Sequence, residues 1–462
     1  MNKRIYVIAA VFLLLLSIFC FSGSDEIKDE WIFKLNQVEP RLLDVPDYGK
    51  GLVQFSSDSQ YLVAAEEEGL VRLVRLSDKK IIWKKNLGVG ALNCAAFSPD
   101  QKRLFLGEKS PEGKISCLDL KTKKIIWSYS VGGDLKSQLM KKSYPTINKI
   151  MVDSKRRAVY LAAGRFERVK ADEYIYFGRL YALNMADGRL LWKFPAQENM
   201  DSNCRYFDFK DDRLAFNTTG GTKFSRAMKY PAGSIYCLDL EEQKLLWHKL
   251  LSPLKPYFWK ASFSFTPNYS ADGQYLICFP NDGRLFLLDR DGKEIWQRDV
   301  TAPKKVLGGI PLYAPGTFAE FWGSRIIVRT ANTYQAGKSG ALVPLEHPDA
   351  NSIICYDLQG KLLWKWRAKG YMPGQSLSGD NLVLPVEKNF RTLDVNVQGV
   401  YLLDLKQIKP YLMEEYHLKG GAAAAAVSPD GRYIAAIEVP HVMPDSLLKQ
   451  GKSQLHLWLR TK

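Results

Sequence analysis

The sequence predicts an all-β fold, a β-propeller of four-stranded blades closed by its own N-terminal strand. Three observations predict it. A fifteen-residue pattern, Gly178-Arg-Leu-Tyr-Ala-Leu-Asn-Met-Ala-Asp-Gly-Arg-Leu-Leu-Trp192, recurs down the chain. Its copies end in Trp83, Trp127, Trp192, Trp247, Trp296 and Trp364, at separations of 44, 65, 55, 49 and 68 residues. The last repeat lacks one strand, and an unassigned strand pattern with a Trp stands near the N-terminus. Repeats of this period mark stacked or circular arrays.

Each copy is an alternating apolar run, an Asp or Asn, a tight turn and a second apolar run, which is a β-hairpin signature. The Asx side chain caps the turn, and Gly188, Gly292 and Gly360 supply the positive φ such turns need. The hairpin is the outer pair of strands, c and d, of a blade, and an inner pair, a and b, precedes it. In the second unit 92–97 is strand a, Ser98-Pro-Asp100 the turn and 103–107 strand b. In the fifth unit 262–266 and 274–279 take those places. The last unit offers three strands, at 422–428, 432–438 and 454–459. The missing fourth is placed at 30–36, with Trp31 standing where the other outer strands carry their Trp. Joining the chain ends hides the edges an open array would expose. The count is eight blades, with seven as the fallback because the copy around Tyr411 is degenerate.

The spacing Ala182-x-Asn184-x-x-x-Gly188-Arg189-x-x-Trp192 closely resembles the tryptophan-docking motif of quinoprotein-like (PQQ-like) β-propellers. That family holds quinone-dependent alcohol dehydrogenases and the non-catalytic propeller lipoprotein of the outer-membrane barrel-assembly machinery. The resemblance covers nearly the whole chain after residue 24. It implies that Trp31, Trp83, Trp127, Trp192, Trp247, Trp296 and Trp364 each dock on the neighbouring blade. Fold alone does not select a function within such a family.

The 462 residues would ordinarily divide into about three domains, but the repeats favour one ring over 25–462. Residues 1–24 read as a signal peptide or N-terminal membrane anchor: Lys3 and Arg4, then an apolar run over 5–21 broken by Ser17, then small residues at 22–24. Lipidation at Cys20 is a third reading, disfavoured by the bulky Phe19. The protein is therefore expected to be exported to the periplasm or cell surface, with membrane association offered by this segment. Six cysteines remain after it, without a CxxC pair, and read as small buried side chains. Net charge is +16, and +14 without Lys3 and Arg4, which favours acidic partners. Nucleic acid suits the charge but not the address.

The c–d turns are tight, whereas the b–c segments 165–177, 218–232, 331–350, 387–398 and 440–453 and the d–a segments 133–144, 252–260 and 301–311 are long. In a propeller these two classes of loop emerge on one face, and long loops on a rigid scaffold carry binding. Their basic and aromatic residues are of the types that dominate binding hot spots. The candidates are Arg165, Phe166, Arg168, Lys223, Phe224, Arg226, Tyr257, Trp259, Tyr334, Lys388, Phe390 and Arg391.

Catalytic signatures are sparse. No HxxxH, HExxH, GxSxG or phosphate-loop pattern is present, and no two cysteines are adjacent, as many of the resembled quinone enzymes require. Asp119, Asp239, Asp289, Asp357 and Asp404 fall at the turn position, where capping accounts for them. No metal site is predicted, and no cofactor is expected. The expected function is a monomeric, exported, non-catalytic binding or scaffold propeller for a protein or anionic polymer of the cell envelope. Two alternatives stand beside it. One is a PQQ-dependent oxidoreductase using calcium, and the other is a carbohydrate-binding propeller with Tyr257, Trp259 and Tyr334 as stacking platforms.

Overall fold

The computed structural model describes residues 30–35, 41–42, 51–66, 69–135, 144–170, 173–221, 229–258, 262–338, 343–388, 397–406, 410–442 and 449–460. The expected signal or anchor segment lies outside them. Among the described residues the regular structure is strand, with one short 3-10 turn at Leu307–Gly309, and no helix is long and apolar enough to cross a membrane.

The strands form consecutive antiparallel meanders of four, here named by the residue of each outer strand: the Trp83 blade (51–86), Trp127 blade (91–130), Trp192 blade (146–194), Trp247 blade (202–250), Trp296 blade (268–299), Trp364 blade (316–367) and Tyr411 blade (376–417). The Trp127 and Trp192 blades count as one eight-stranded sheet only through the pair Thr146 and Lys109. A closing blade joins Gly421–Val427, Tyr433–Val439 and Gln454–Leu459 to the N-terminal strand Glu30–Lys34. Glu30 pairs with Trp458 and Trp31 with Leu457. The sequence-derived closure is therefore the observed one, with five residue pairs joining the two strands.

Each apolar cluster of the core lies between two consecutive blades. Phe105 and Trp127 pack with Val159 and Tyr181 of the next blade, and Tyr160 and Ala182 with Phe207 and Tyr236. The pattern continues around the circle. It ends where Ile437 and Leu457 of the closing blade meet Leu62 and Val74 of the Trp83 blade. Blade alternation explains this: successive side chains of a strand point to opposite faces, so both faces of each sheet are buried against a neighbour.

One strand differs from the sequence reading. In the Trp296 blade the inner strand is Asn268–Tyr269, not 262–266, where Phe263 and Phe265 make isolated bridges only. Pro267 lacks the N–H that would continue the ladder.

The repeat motif works between blades. Trp127 Nε1 donates to Met185 O at 3.2 Å, Trp247 Nε1 to Arg290 O at 3.2 Å and Trp296 Nε1 to Leu358 O at 2.8 Å. Each acceptor follows the turn Asx of the next blade. Gly188 and Gly292 have φ of +74° and +80°, and a Cβ there would stand 2.4 Å from the Trp127 ring and 2.7 Å from the Trp247 ring. Glycine is thus needed for close approach as much as for the turn. Trp31 holds the corresponding place at closure, with Lys79 Nζ of the Trp83 blade 4.4 Å from its ring. After Trp192 the next turn has Gln243 in place of glycine, and a cavity of about 340 Å³ lies between that turn and the indole.

The outer edges are blunted. Ladders slip just before Trp83, Trp127, Trp192, Trp247, Trp296 and Trp364. Around the slip Leu190, Leu191, Leu245, Leu246, Leu362 and Leu363 are exposed, each pair preceded by Arg189, Lys244 or Lys361. Bulges and cations on an open strand disfavour pairing with another chain.

The inner edges are stitched by asparagine. Asn93 Nδ2 donates to Ile147 O at 2.8 Å, Asn148 Nδ2 to Cys204 O at 2.8 Å and Asn268 Nδ2 to Ala319 O at 2.6 Å. Each link crosses from one innermost strand to the next blade.

Turn carboxylates cap as the sequence predicts. Asp289 and Asp357 Oδ1 each accept two backbone N–H groups at 2.8–3.0 Å. The a–b turns share a second device, in which Ser56, Ser98, Ser270 and Ser428 donate to Asp58, Asp100, Asp272 and Asp430 at 2.6 Å. The Ser98 and Ser270 hydroxyls hold Asp100 and Asp272 below the usual carboxylate range. Backbone N–H donors, from Thr122 and Glu242 first, do the same for Asp119 and Asp239. A depressed carboxylate favours the fold above its unfolded value, near 3.9, and loses that contribution as pH falls through its folded value. The thermal midpoint is expected to hold from pH ~7 to ~5 and to fall below pH ~4. The paired variants Asp100→Asn and Asp272→Asn should show a shallower fall by calorimetry; an unchanged slope would exclude these turns.

Candidate interaction face

The b–c segment 165–177 is not a loop. Strands Ala158–Lys170 and Glu173–Asn184 of the Trp192 blade run on through it as a two-stranded arm, pairing Arg165 with Phe177 and Phe166 with Tyr176. The alternation Phe166, Tyr174, Tyr176 belongs to a strand, and a period of two persists across what reads as an insertion. Phe166 is 46% exposed. Its ring lies 6.0 Å from Tyr174 and 6.1 Å from Tyr176, and those two rings are 6.2 Å apart. Edge and tilted contacts at these distances are favourable.

Arg165 is spent internally. It pairs with Glu167 at 3.0 Å and donates to Leu135 O at 3.1 Å. The neighbouring d–a loop is tied down as well: Asp134 accepts Lys193 at 2.9 Å and lies 3.5 Å from Arg179. On the Trp364 blade Asp349 bridges Lys304 at 3.2 Å and Lys365 at 2.7 Å, joining a d–a segment, a b–c segment and an outer strand. Loops fixed to one another form a preorganised surface.

The structure redistributes the other candidates. Tyr334 is 5% exposed and packs 6.0 Å from Tyr313, so its ring belongs to the core and offers no open platform. His347, from the same segment, is fully buried, and burial pushes its imidazole down to about 4. Tyr257 and Lys388 are half-buried. The backbone of Arg168 lies in the arm. Lys223, Phe224, Arg226, Trp259, Phe390 and Arg391 lie outside the described residues, as does the side chain of Arg168.

Sequence reasoning missed a charged cluster on the innermost strands. Half-buried Lys149 places Nζ 3.5 Å from the centre of the Tyr206 ring. Tyr206 Oη bonds Asn268 at 3.2 Å. Burial pushes Lys149 down to about 8, with Asp208 and Glu320 opposing it, and burial raises Glu320 to about 7. These residues sit on strands of the Trp192, Trp247, Trp296 and Trp364 blades, and no local pattern links them. On the other side of the ring, inner-strand residues including Gln54, Ser376, Ala425 and Ala426 line a cavity of about 260 Å³.

Among the described residues no three His, Cys, Asp or Glu side chains converge on one point, and the carboxylates Asp208 and Glu320 act on Lys149, which already supplies their positive charge. The six described cysteines are free thiols, buried except for half-buried Cys94. Burial pushes Cys117 and Cys355 up to about 12, so neither is a ready thiolate.

A family profile described as outer membrane protein assembly factor BamB matches residues 161–407. The chain belongs to that family. Among solved structures, the C-terminal WD40 domain of Sif2 is similar to this BamB-family propeller at a TM-score of 0.57 and 12% identity, covering 92% of this chain and 99% of that one. BamB from Moraxella catarrhalis aligns at a TM-score of 0.39 and 12% identity, covering 77% of this chain and 97% of that one. At such identities the Sif2 likeness bears on the fold alone, and the weaker one adds nothing to it. Comparison with curated protein sequences finds no match.

Proposed function

We propose that the chain is an exported, eight-bladed, non-catalytic scaffold that recognises a protein partner in the cell envelope. The face bearing the b–c and d–a loops is the recognition face. One observation supports this reading above the rest. The arm over 165–177 sets an exposed Phe166 on a cluster with Tyr174 and Tyr176, braced by the Arg165 to Glu167 pair. A strand-borne aromatic anchor loses little conformational freedom on binding, which is how hot spots gain affinity. The family's description, an outer membrane protein assembly factor, is in keeping with an envelope compartment and this class of process.

The test is a photo-crosslinking residue placed at 166 in the full chain in cells, with a second at Ile295 on the outer rim as the control. A discrete protein adduct from 166 and none from 295 is expected. Phe166→Ala should lower recovery of that protein about tenfold or more, as for an anchor worth ~2 kcal/mol. Equal labelling from both sites, or full recovery with Phe166→Ala, rejects this face.

A further inference from the structure

The closing strand meets its neighbours in the sheet through a side-chain contact that lies outside the repeat pattern. His456 lies in Gln454–Leu459, 5% exposed. Its Nδ1 is 2.7 Å from Glu30 Oε1 and its Nε2 is 2.9 Å from Glu438 Oε2. Glu30 is the first residue of the N-terminal strand, and Glu438 belongs to the next strand inward. The imidazole therefore stands between carboxylates on both of its neighbours in the sheet. The Trp458 ring stacks on it at 5.2 Å and 14°.

Carboxylates only accept hydrogen bonds when ionised, and a neutral imidazole donates from one nitrogen alone. Two short contacts on opposite sides thus require a proton on both nitrogens. Glu438 is held in place from its other oxygen, because its Oε1 accepts the N–H of Gly420 at 2.6 Å and of Lys452 at 3.4 Å. Glu438 and Glu30 are the charges that act on the ring. Beyond them, Arg72 of the Trp83 blade is engaged with Glu66 at 3.1 Å and also donates to Lys34 O at 3.4 Å.

We propose that His456 is a proton-dependent clasp that locks the N-terminal strand into the ring, and that loss of its proton loosens this strand before the rest of the propeller opens. Deprotonation leaves a lone pair facing a carboxylate at hydrogen-bond distance, and the more exposed partner, Glu30 with 35% of its side chain accessible, is the one free to move away. Although burial opposes the charged form, the two carboxylates outweigh it and the net shift is upward. A group raised in the folded state contributes fully below its unfolded value, near 6.5 for histidine. Its contribution is lost as pH rises through the folded value. The clasp is thus closed in mild acid and weakens toward alkaline pH.

Amide exchange of residues 30–34 in the full chain, corrected for intrinsic rates, tests this between pH ~6 and ~9. Protection there is expected to drop at least tenfold with rising pH, while inner strands such as Leu104 to Leu106 keep theirs. His456→Gln should make the 30–34 protection flat with pH. If that variant does not fold, Glu30→Gln serves, and it should move the midpoint of the drop to lower pH. A wild-type profile without pH dependence overturns the proposal, as does an unmoved midpoint in Glu30→Gln. These results are independent of the arm and of any partner.

Discussion

Replacing Trp127 with alanine is expected to lower stability by about 3–5 kcal/mol, the usual cost of deleting a buried indole. Trp127 is 8% exposed and lies 5.7 Å from Phe105 in its own blade. It also donates to Met185 O and lies against Gly188 of the next blade. The substitution therefore removes packing inside one sheet and the bond between two. Gly188→Ala should also destabilise, since its Cβ would stand 2.4 Å from the indole at a φ of +74°. The informative measurement is the double variant. With the indole gone the added methyl has room, so the two costs in urea denaturation should sum to less than expected. Gly360 is the control. A Cβ there meets the Arg298 guanidinium first, at 2.9 Å, so Trp296→Ala should relieve Gly360→Ala less. Simple additivity at 127 and 188 would remove the inter-blade contact as the reason for the motif.

Deleting residues 1–35 should have the second large effect. It strips Trp31 and Phe33 from the cluster that joins the closing blade to the Trp83 blade. It also exposes the edge of Gln454–Leu459, whose outer partners run from Glu30 to Lys34. Two partly buried aromatics at ~1.5–3 kcal/mol each when fully buried give a loss of roughly 2–4 kcal/mol. The bare edge adds a tendency to associate, because Gln454–Leu459 lacks the bulge that blunts the outer strands carrying the repeat Trp. The shortened chain should show a lower urea midpoint and concentration-dependent light scattering. A monodisperse protein of unchanged midpoint would mean that the ring closes without its N-terminal strand.

The outer hairpins were the most legible part of the chain. Each lies within fifteen residues, and turn chemistry, alternation and Trp all fall in one window, so local rules suffice. The same holds for the turn capping by Asp289 and Asp357. The missing inner strand at 262–266 shows the limit, since apolar alternation continues there although Pro267 ends the ladder. The candidate face was legible by position only. Phe166 is where an exposed anchor was expected, but the residues around it form a strand arm, because an insertion with a period of two extends its sheet. Tyr334 reads identically to Phe166 in sequence and is buried, since Tyr313 of another segment covers it.

What the sequence determined by itself is the circle: repeats of fixed internal pattern, each unable to bury both faces alone, and one missing strand whose counterpart lies at the other end of the chain. Only the tertiary structure decided which side chains meet across blades. It set Gly188 under Trp127, Asn148 on Cys204 O, Lys149 over Tyr206, and His456 between Glu30 and Glu438. The partners in these contacts are separated by up to 426 residues. Contact at such separation depends on how sheets are arranged around the ring, and no local spacing encodes that.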